Sequence, residues 1–205
     1  MKTELFLFDM GEVLVLDGVN LPEIAAHLKV GKDELERDYD KYDYPMMEGW
    51  MDTADYMRHL ESEFGVKIEG NLFRQIYNPR TNLQILPILG KIREKGGRLA
   101  VGSNTFLPHV ERISALPENP LGTFDALYFS HEMHLSKPSL SFFRYILGKE
   151  HVSPESVLFV DDRAENTRAA ERLGIRTFLY SVEKNGELEE TVSRLLENSR
   201  QENPA

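Results

Sequence analysis

The chain has 205 residues, 41% of them apolar, and 24 Lys and Arg against 34 Asp and Glu give it a net charge of −10. That length supports one large domain with a modest insertion, and a field of that sign opposes nucleic acid and anionic lipid surfaces while leaving room for one locally positive pocket. Cysteine is absent, which excludes disulfides, thiol catalysis, cysteine-ligated zinc and iron–sulfur clusters.

The first apolar run, Leu5–Phe8, is stopped by Asp9. It is too short for a signal-peptide core, and no later stretch approaches the roughly 18 apolar residues of a membrane span. A soluble, cytoplasmic protein without nucleic-acid or membrane partners is expected. From Asp17 to Arg80 the chain carries helical patterns at Leu21–Val30, Lys32–Tyr42 and Thr53–Phe64, with no buried strand among them. Residues 17–80 are therefore expected to form a helical cap inserted in a core built from residues 1–16 and 81–205. Aromatics and methionines crowd residues 42–50; most should pack the helices, and a minority should close over a substrate.

After the insertion comes a helix that stops at Gly96-Gly97, then short apolar runs at Arg98–Gly102, Ala126–Phe129, Val157–Val160 and Arg176–Leu179. Helical patterns separate the later runs, around Leu140–Leu147 and from Ala164 to Leu173, where Gly174 ends the helix. A polar helix from Glu183 and a frayed tail from Ser199 to Ala205 close the chain. Strands that are apolar on successive residues and alternate with helices predict an α/β fold: a Rossmann-like, mostly parallel sheet with helices on both faces.

Ligands of such sheets bind outside the carboxyl ends of the strands. The residues that end the runs are Asp9, Ser103-Asn104, the segment leading to Lys137, and Asp161-Asp162. Singly, each has an ordinary structural use as a turn former or cap. Together, in one order at strand ends, they fit phosphoryl transfer. Asp9 is the nucleophile, able to form an aspartyl-phosphate. Attack of one anion on another needs charge compensation, and Mg²⁺ with hard oxygen ligands supplies it, Asp161 and Asp162 completing the cradle. Ser103 donates its hydroxyl to phosphate, Asn104 adds a backbone N–H, and Lys137 neutralises the remaining charge.

The segments Phe8-Asp9-Met10-Gly11-Glu12-Val13-Leu14, Gly102-Ser103-Asn104-Thr105, Ser136-Lys137-Pro138 and Phe159-Val160-Asp161-Asp162-Arg163-Ala164-Glu165-Asn166 resemble the four motifs of the haloacid dehalogenase superfamily. The likeness spans essentially the whole chain. Within the superfamily it is most similar to the small-capped branch of bacterial sugar-phosphate phosphatases, including the α-glucose-1-phosphate type. The resemblance implies Asp9 as nucleophile, Mg²⁺ held by Asp9, the Gly11 carbonyl and Asp162 with Asp161 beside it, and phosphate held by Ser103 and Lys137. It implies a small phosphorylated metabolite, with a sugar phosphate expected, and a monomer or homodimer.

Two positions depart from the family pattern. Phosphatases of the family usually carry a second Asp two residues after the nucleophile, as acid to the leaving group and base to water; here that position is Gly11. Glu12 and Asp17 are nearby carboxylates. His134 stands where the loop before the lysine often has glycine. His131 and His134 are one residue short of the His-Glu-x-x-His spacing of a zinc helix. Two other functions stay open: a 2-haloacid dehalogenase, for which the Asp161-Asp162 pair has no use, and a phospho-ligand binding protein without turnover, which Gly11 keeps in view.

Overall fold

Four consecutive buried apolar residues form a strand only where a sheet is covered on both faces. Leu5–Phe8 is that strand, β1, and all four side chains are buried. The computed structural model describes residues 3–18 and 21–201. A two-residue strand, β2 (Val15–Leu16), follows β1, then the helices α1 (Leu21–Leu28), α2 (Lys32–Met47), α3 (Thr53–Phe64) and α4 (Leu72–Ile76). β3 (Arg80–Thr81) pairs antiparallel with β2 and closes this helical insertion at its base. The chain continues as α5 (Leu86–Glu94), β4 (Arg98–Ser103), α6 (Leu107–Ser114), β5 (Ala126–Phe129), α7 (Ser130–Met133) and α8 (Leu140–Glu150). It ends with β6 (Val157–Asp161), α9 (Ala164–Glu171), β7 (Arg176–Leu179) and α10 (Asn185–Gln201).

The five strands expected from the apolar runs form one parallel sheet, in the order β5-β4-β1-β6-β7. Register explains why both faces are apolar. Phe6 lies beside Leu99 and Leu158, and Phe8 beside Val101 and Val160, so these side chains share one face and pack on α5 and α10. Leu5, Leu7, Ala100, Val157 and Phe159 take the alternate positions and pack on α8 and α9. The α/β architecture is the one the runs predict.

Several elements differ from the sequence expectation. β2 and β3 are too short to leave a pattern. The helix α6, only eight residues long, was not anticipated; Pro108 sits in its first turn, where a missing N–H removes no helical bond. The final helix continues to Gln201, past the point where fraying was expected, and residues 202–205 of the expected tail lie outside the described residues. No helix among the described residues is long and apolar enough to cross a membrane.

The insertion has its own apolar cluster, with Ile24, Leu35, Met46, Tyr56, Leu60 and Phe73 among its members. Within it Asp38, 4% exposed, accepts from the hydroxyl of Tyr56 at 3.2 Å, from His59 Nε2 at 3.0 Å and from Lys41 at 3.3 Å. Removing the acceptor leaves the buried Tyr56 hydroxyl without it. Asp38→Ala is therefore expected to destabilise the protein by about 2–4 kcal/mol, read by urea denaturation. A loss below about 0.5 kcal/mol, the usual range of surface substitutions, would show that the network does not hold the helices together.

Candidate active site

The chain passes from β1 to β4 and β5 on one side of the sheet, then crosses back to β6 and β7 on the other. The switch point lies at the carboxyl end of β1, where side chains from both halves of the sheet meet. Asp9 follows β1, Ser103 ends β4 and Asp161 ends β6. The loop after α7 brings Lys137 beneath them.

Lys137 is almost completely buried, and its ammonium lies 2.8 Å from Asp9 Oδ1 and 2.7 Å from Asp161 Oδ2. Burial by itself lowers the pKa of an amine; here Asp9 and Asp161 outweigh it and hold Lys137 above the ordinary lysine value. For Asp9 the balance goes the other way. Burial pushes its carboxyl up to about 7, against the attraction of Lys137 and with the repulsion of Asp161 and Asp162 added. Burial, then Asp161, also raises Asp162. Asp9, Asp161 and Asp162 each offer an oxygen within 4.8 Å of the others. Three carboxylates around one lysine leave an excess of negative charge, and a hard divalent cation fits such a donor set.

The three aspartates differ in what already holds them. Asp161 is fully buried and accepts from Lys137 at Oδ2, from Asn166 Nδ2 at both carboxylate oxygens, and from the Arg163 N–H at Oδ1. On Asp9, the Met10 N–H at 2.7 Å and Lys137 converge on Oδ1. Asp162 is only partly buried and lines the cavity above the cluster.

That cavity has a volume of about 320 Å³. Asp9, Gly11, Ser103, Asn104 and Asp162 line it, whereas Lys137 and Asp161 lie below its floor. Glu12 is at its edge, where the carboxylate accepts from the Gly18 N–H at 3.3 Å. Asp17 is elsewhere: it pairs with Arg80 at the base of the insertion. Asn104 does more than the sequence suggested. Its side chain donates to the Lys137 carbonyl and accepts from the Lys137 N–H, both at 2.8 Å, so it fixes the backbone that presents the lysine.

Tyr39 and Met47 of α2, together with Tyr77, Thr105 and His109, complete the cavity wall. Apart from Thr105, which ends the Gly102–Thr105 segment, and Met47, in the crowded 42–50 stretch, none carries a local sequence signal, since such residues read as core. Tyr77 stacks on His109 with centroids 3.9 Å apart. Burial pushes the His109 imidazole down to about 3, so the stack is neutral near pH 7.

The insertion also holds the lysine loop directly. Glu48, just after α2, accepts from the Ser136 hydroxyl at 2.6 Å, and its carbonyl accepts from His134 Nδ1 at 2.7 Å. Trp50 packs on the His134 ring with centroids 4.5 Å apart. Gly49 between them has φ 69°, and a Cβ there would lie 2.2 Å from the His131 carbonyl oxygen, so only glycine allows this approach. His134 occupies its loop position at φ 56°, the left-handed region glycine favours. His131 Nδ1 donates to the Thr105 carbonyl at 3.0 Å. Both histidines thus tie loops together.

Residues 3–174 match the family model of haloacid dehalogenase-like hydrolases. The chain belongs to that family. Over 186 residues this hydrolase is 27% identical to the D-ribitol-5-phosphate phosphatase of Bacteroides thetaiotaomicron, a match covering 84% of this chain and 89% of the relative. Among solved structures it resembles a haloacid dehalogenase-like hydrolase from Porphyromonas gingivalis, with a TM-score of 0.81 at 23% identity, covering 96% of this chain and 98% of the other. It also resembles a family enzyme from Bacteroides thetaiotaomicron crystallised with magnesium and inorganic phosphate, with a TM-score of 0.74 at 22% identity over 87% of this chain and 94% of that one. At those identities the structural matches speak for the fold.

Proposed function

We propose that this hydrolase is a Mg²⁺-dependent phosphatase of a small phosphorylated metabolite, a sugar or polyol phosphate, acting through an aspartyl-phosphate on Asp9. The observation that carries the reading is the buried Lys137 bonded to both Asp9 and Asp161 at the switch point of the sheet. A carbon-attacking hydrolase has no need of the additional acidic pair, whereas a phosphoryl anion does. The named relatives support the same choice: one is a ribitol-phosphate phosphatase and another was crystallised with magnesium and phosphate.

In this reading Asp9 Oδ2, the oxygen opposite the Met10 and Lys137 contacts, attacks phosphorus and the ester oxygen leaves with its electron pair. Ser103 and Lys137 hold the phosphoryl oxygens, with the lysine kept in place by Asp161 and Asn104. Water then hydrolyses the acyl phosphate, returning Asp9 and releasing phosphate. Asp9, Asp162 and the Gly11 carbonyl would hold Mg²⁺, with Asp161 behind them; bound there, the ion offsets the charge of the phosphoryl group. Residues 17–80 serve as the cap that excludes water and meets the leaving group.

The test is hydrolysis of a panel of phosphate esters with Mg²⁺ and with excess chelator. Activity should need the metal. Asp162→Asn should weaken Mg²⁺ binding, measured by titration calorimetry, and lower turnover with it. Undiminished activity in chelator would remove the phosphatase reading and restore attack at carbon.

A further inference from the structure

Among the described residues three buried side-chain polar atoms lack a hydrogen-bond partner: Asp43 Oδ1, Thr105 Oγ1 and Arg176 Nε. Native folds leave few such atoms, and each costs about 1–3 kcal/mol. Arg176 is on the edge strand β7, where its guanidinium donates to Thr3 through another nitrogen. The other two lie at the reaction cavity or beside it. Thr105 lines it from the core. Asp43 sits on α2 four residues after Tyr39 and four before Met47, both of which line it from the insertion. Positions i, i+4 and i+8 share one helix face, so Asp43 is at the centre of the stripe turned to the cavity.

The surroundings of Asp43 select what it can bind. Tyr39 hydrogen-bonds the carboxylate; burial and the charge of Asp40 raise its pKa, against a smaller opposing effect of Arg163, an exposed residue that lines the same cavity and pairs with Glu165. An ionised carboxylate accepts only, so its ligand must be a donor. A hydroxyl of the leaving group is such a donor. Thr105 Oγ1 can donate to or accept from a second hydroxyl. We infer that Asp43 and Thr105 are specificity-determining residues that read hydroxyl groups of the leaving group, one from the insertion and one from the core. This rests on the phosphatase reading and adds how the ester is chosen: a hydroxyl-rich alkyl phosphate pairs both atoms, and an aryl or plain alkyl phosphate pairs neither. Sites built to hydrogen-bond a hydroxyl discriminate strongly against analogues without one.

The test compares kcat/KM for a pentitol phosphate, butyl phosphate and 4-nitrophenyl phosphate in the wild-type protein, Asp43→Ala and Thr105→Val. In each variant the preference for the pentitol ester over the other two should fall about 10–100-fold. For Thr105→Val a melting temperature at or above wild type should accompany the loss, because Oγ1 had no partner in the fold, whereas Asp43→Ala also removes the acceptor of Tyr39. Asp43→Asn keeps the shape of the side chain and replaces the alanine variant if that one fails to fold. An unchanged preference, or equal loss on all three esters, overturns the assignment. If the wild-type protein hydrolyses none of them, the phosphatase reading falls by itself. Calorimetric titration of the same three esters then decides the hydroxyl readers: selective weakening of the pentitol ester in the variants upholds them, and binding that is absent or equally affected removes them.

Discussion

Asp9→Asn is expected to abolish turnover and, at the same time, to make the metal-free protein more stable above pH 7. An amide cannot form the acyl phosphate, so the loss of activity should be complete. The gain in stability follows from the crowding of Asp9 with Asp161 and Asp162 in a buried cluster. Its carboxyl is pushed from 3.8 to about 7 by burial first and by those neighbours, despite Lys137. A carboxyl whose folded pKa is raised retains a proton that the unfolded chain has released. Its contribution is therefore present at acid pH and is lost as pH rises from about 4 through about 7, by something of the order of 1–4 kcal/mol. Asparagine has no such slope, and Lys137 keeps its bond to Asp161 in the variant. Urea denaturation of both proteins in chelator, from pH 5 to 8, should show curves that diverge as pH rises. Beryllofluoride with Mg²⁺, a mimic of the acyl phosphate, should bind the wild-type protein only. Turnover retained by the variant would take Asp9 out of the mechanism, and parallel stability curves would contradict the cost assigned to its charge.

Gly11→Asp should have the second large effect, this time a gain. Phosphatases of this family usually place a carboxylic acid there to protonate the departing alkoxide, a contribution typically worth about 10²–10⁴-fold. Without it, alkyl esters depart slowly, while an aryl phosphate leaves with little need of a proton. The wild-type protein is accordingly expected to prefer good leaving groups when leaving groups of equal hydroxyl content are compared. The substitution is sterically open: a Cβ on Gly11 meets nothing within 4 Å. The backbone carbonyl proposed for the metal is also unchanged by it. The variant should speed alkyl phosphates more than aryl phosphates, which a plot of log kcat against leaving-group pKa would show as a shallower slope. A wild-type slope that is already shallow would mean that another acid acts in place of the missing one. Glu12, at the cavity edge, is then the first residue to change, since Asp17 is held by Arg80 away from the cavity.

Those two predictions depend on residues that a reader of the sequence can find, and the reason is local. A strand covered on both faces must be apolar along its whole length, so a polar residue that ends it is visible without any coordinates. Leu5–Phe8 before Asp9 and Val157–Val160 before Asp161-Asp162 are such cases, and their order along the chain resembles one family. What each residue touches is a different matter, because it depends on chain segments far away. Asn104 was expected to offer its backbone to phosphate; that its side chain also clamps the backbone of Lys137, 33 residues on, was not visible. Asp161 and Asp162 are adjacent and chemically identical, yet one is buried and fully engaged by Lys137, Asn166 and Arg163 while the other opens on the cavity. That difference arises from strand direction and burial, which two neighbouring letters cannot express. The bond from Ser136 to Glu48 spans 88 residues. Asp43 carries no motif, lying in a polar helix, and Thr105 only ends the segment Gly102-Ser103-Asn104-Thr105 with no role of its own suggested there. They become noticeable only when packing has removed them from water without supplying a partner. Hydrophobic periodicity and strand-end chemistry are properties of short segments and so determined the architecture and the motif residues. Hydrogen-bond satisfaction, charge crowding and the choice between neighbouring carboxylates depend on what surrounds a group in three dimensions, and only the tertiary structure decided them.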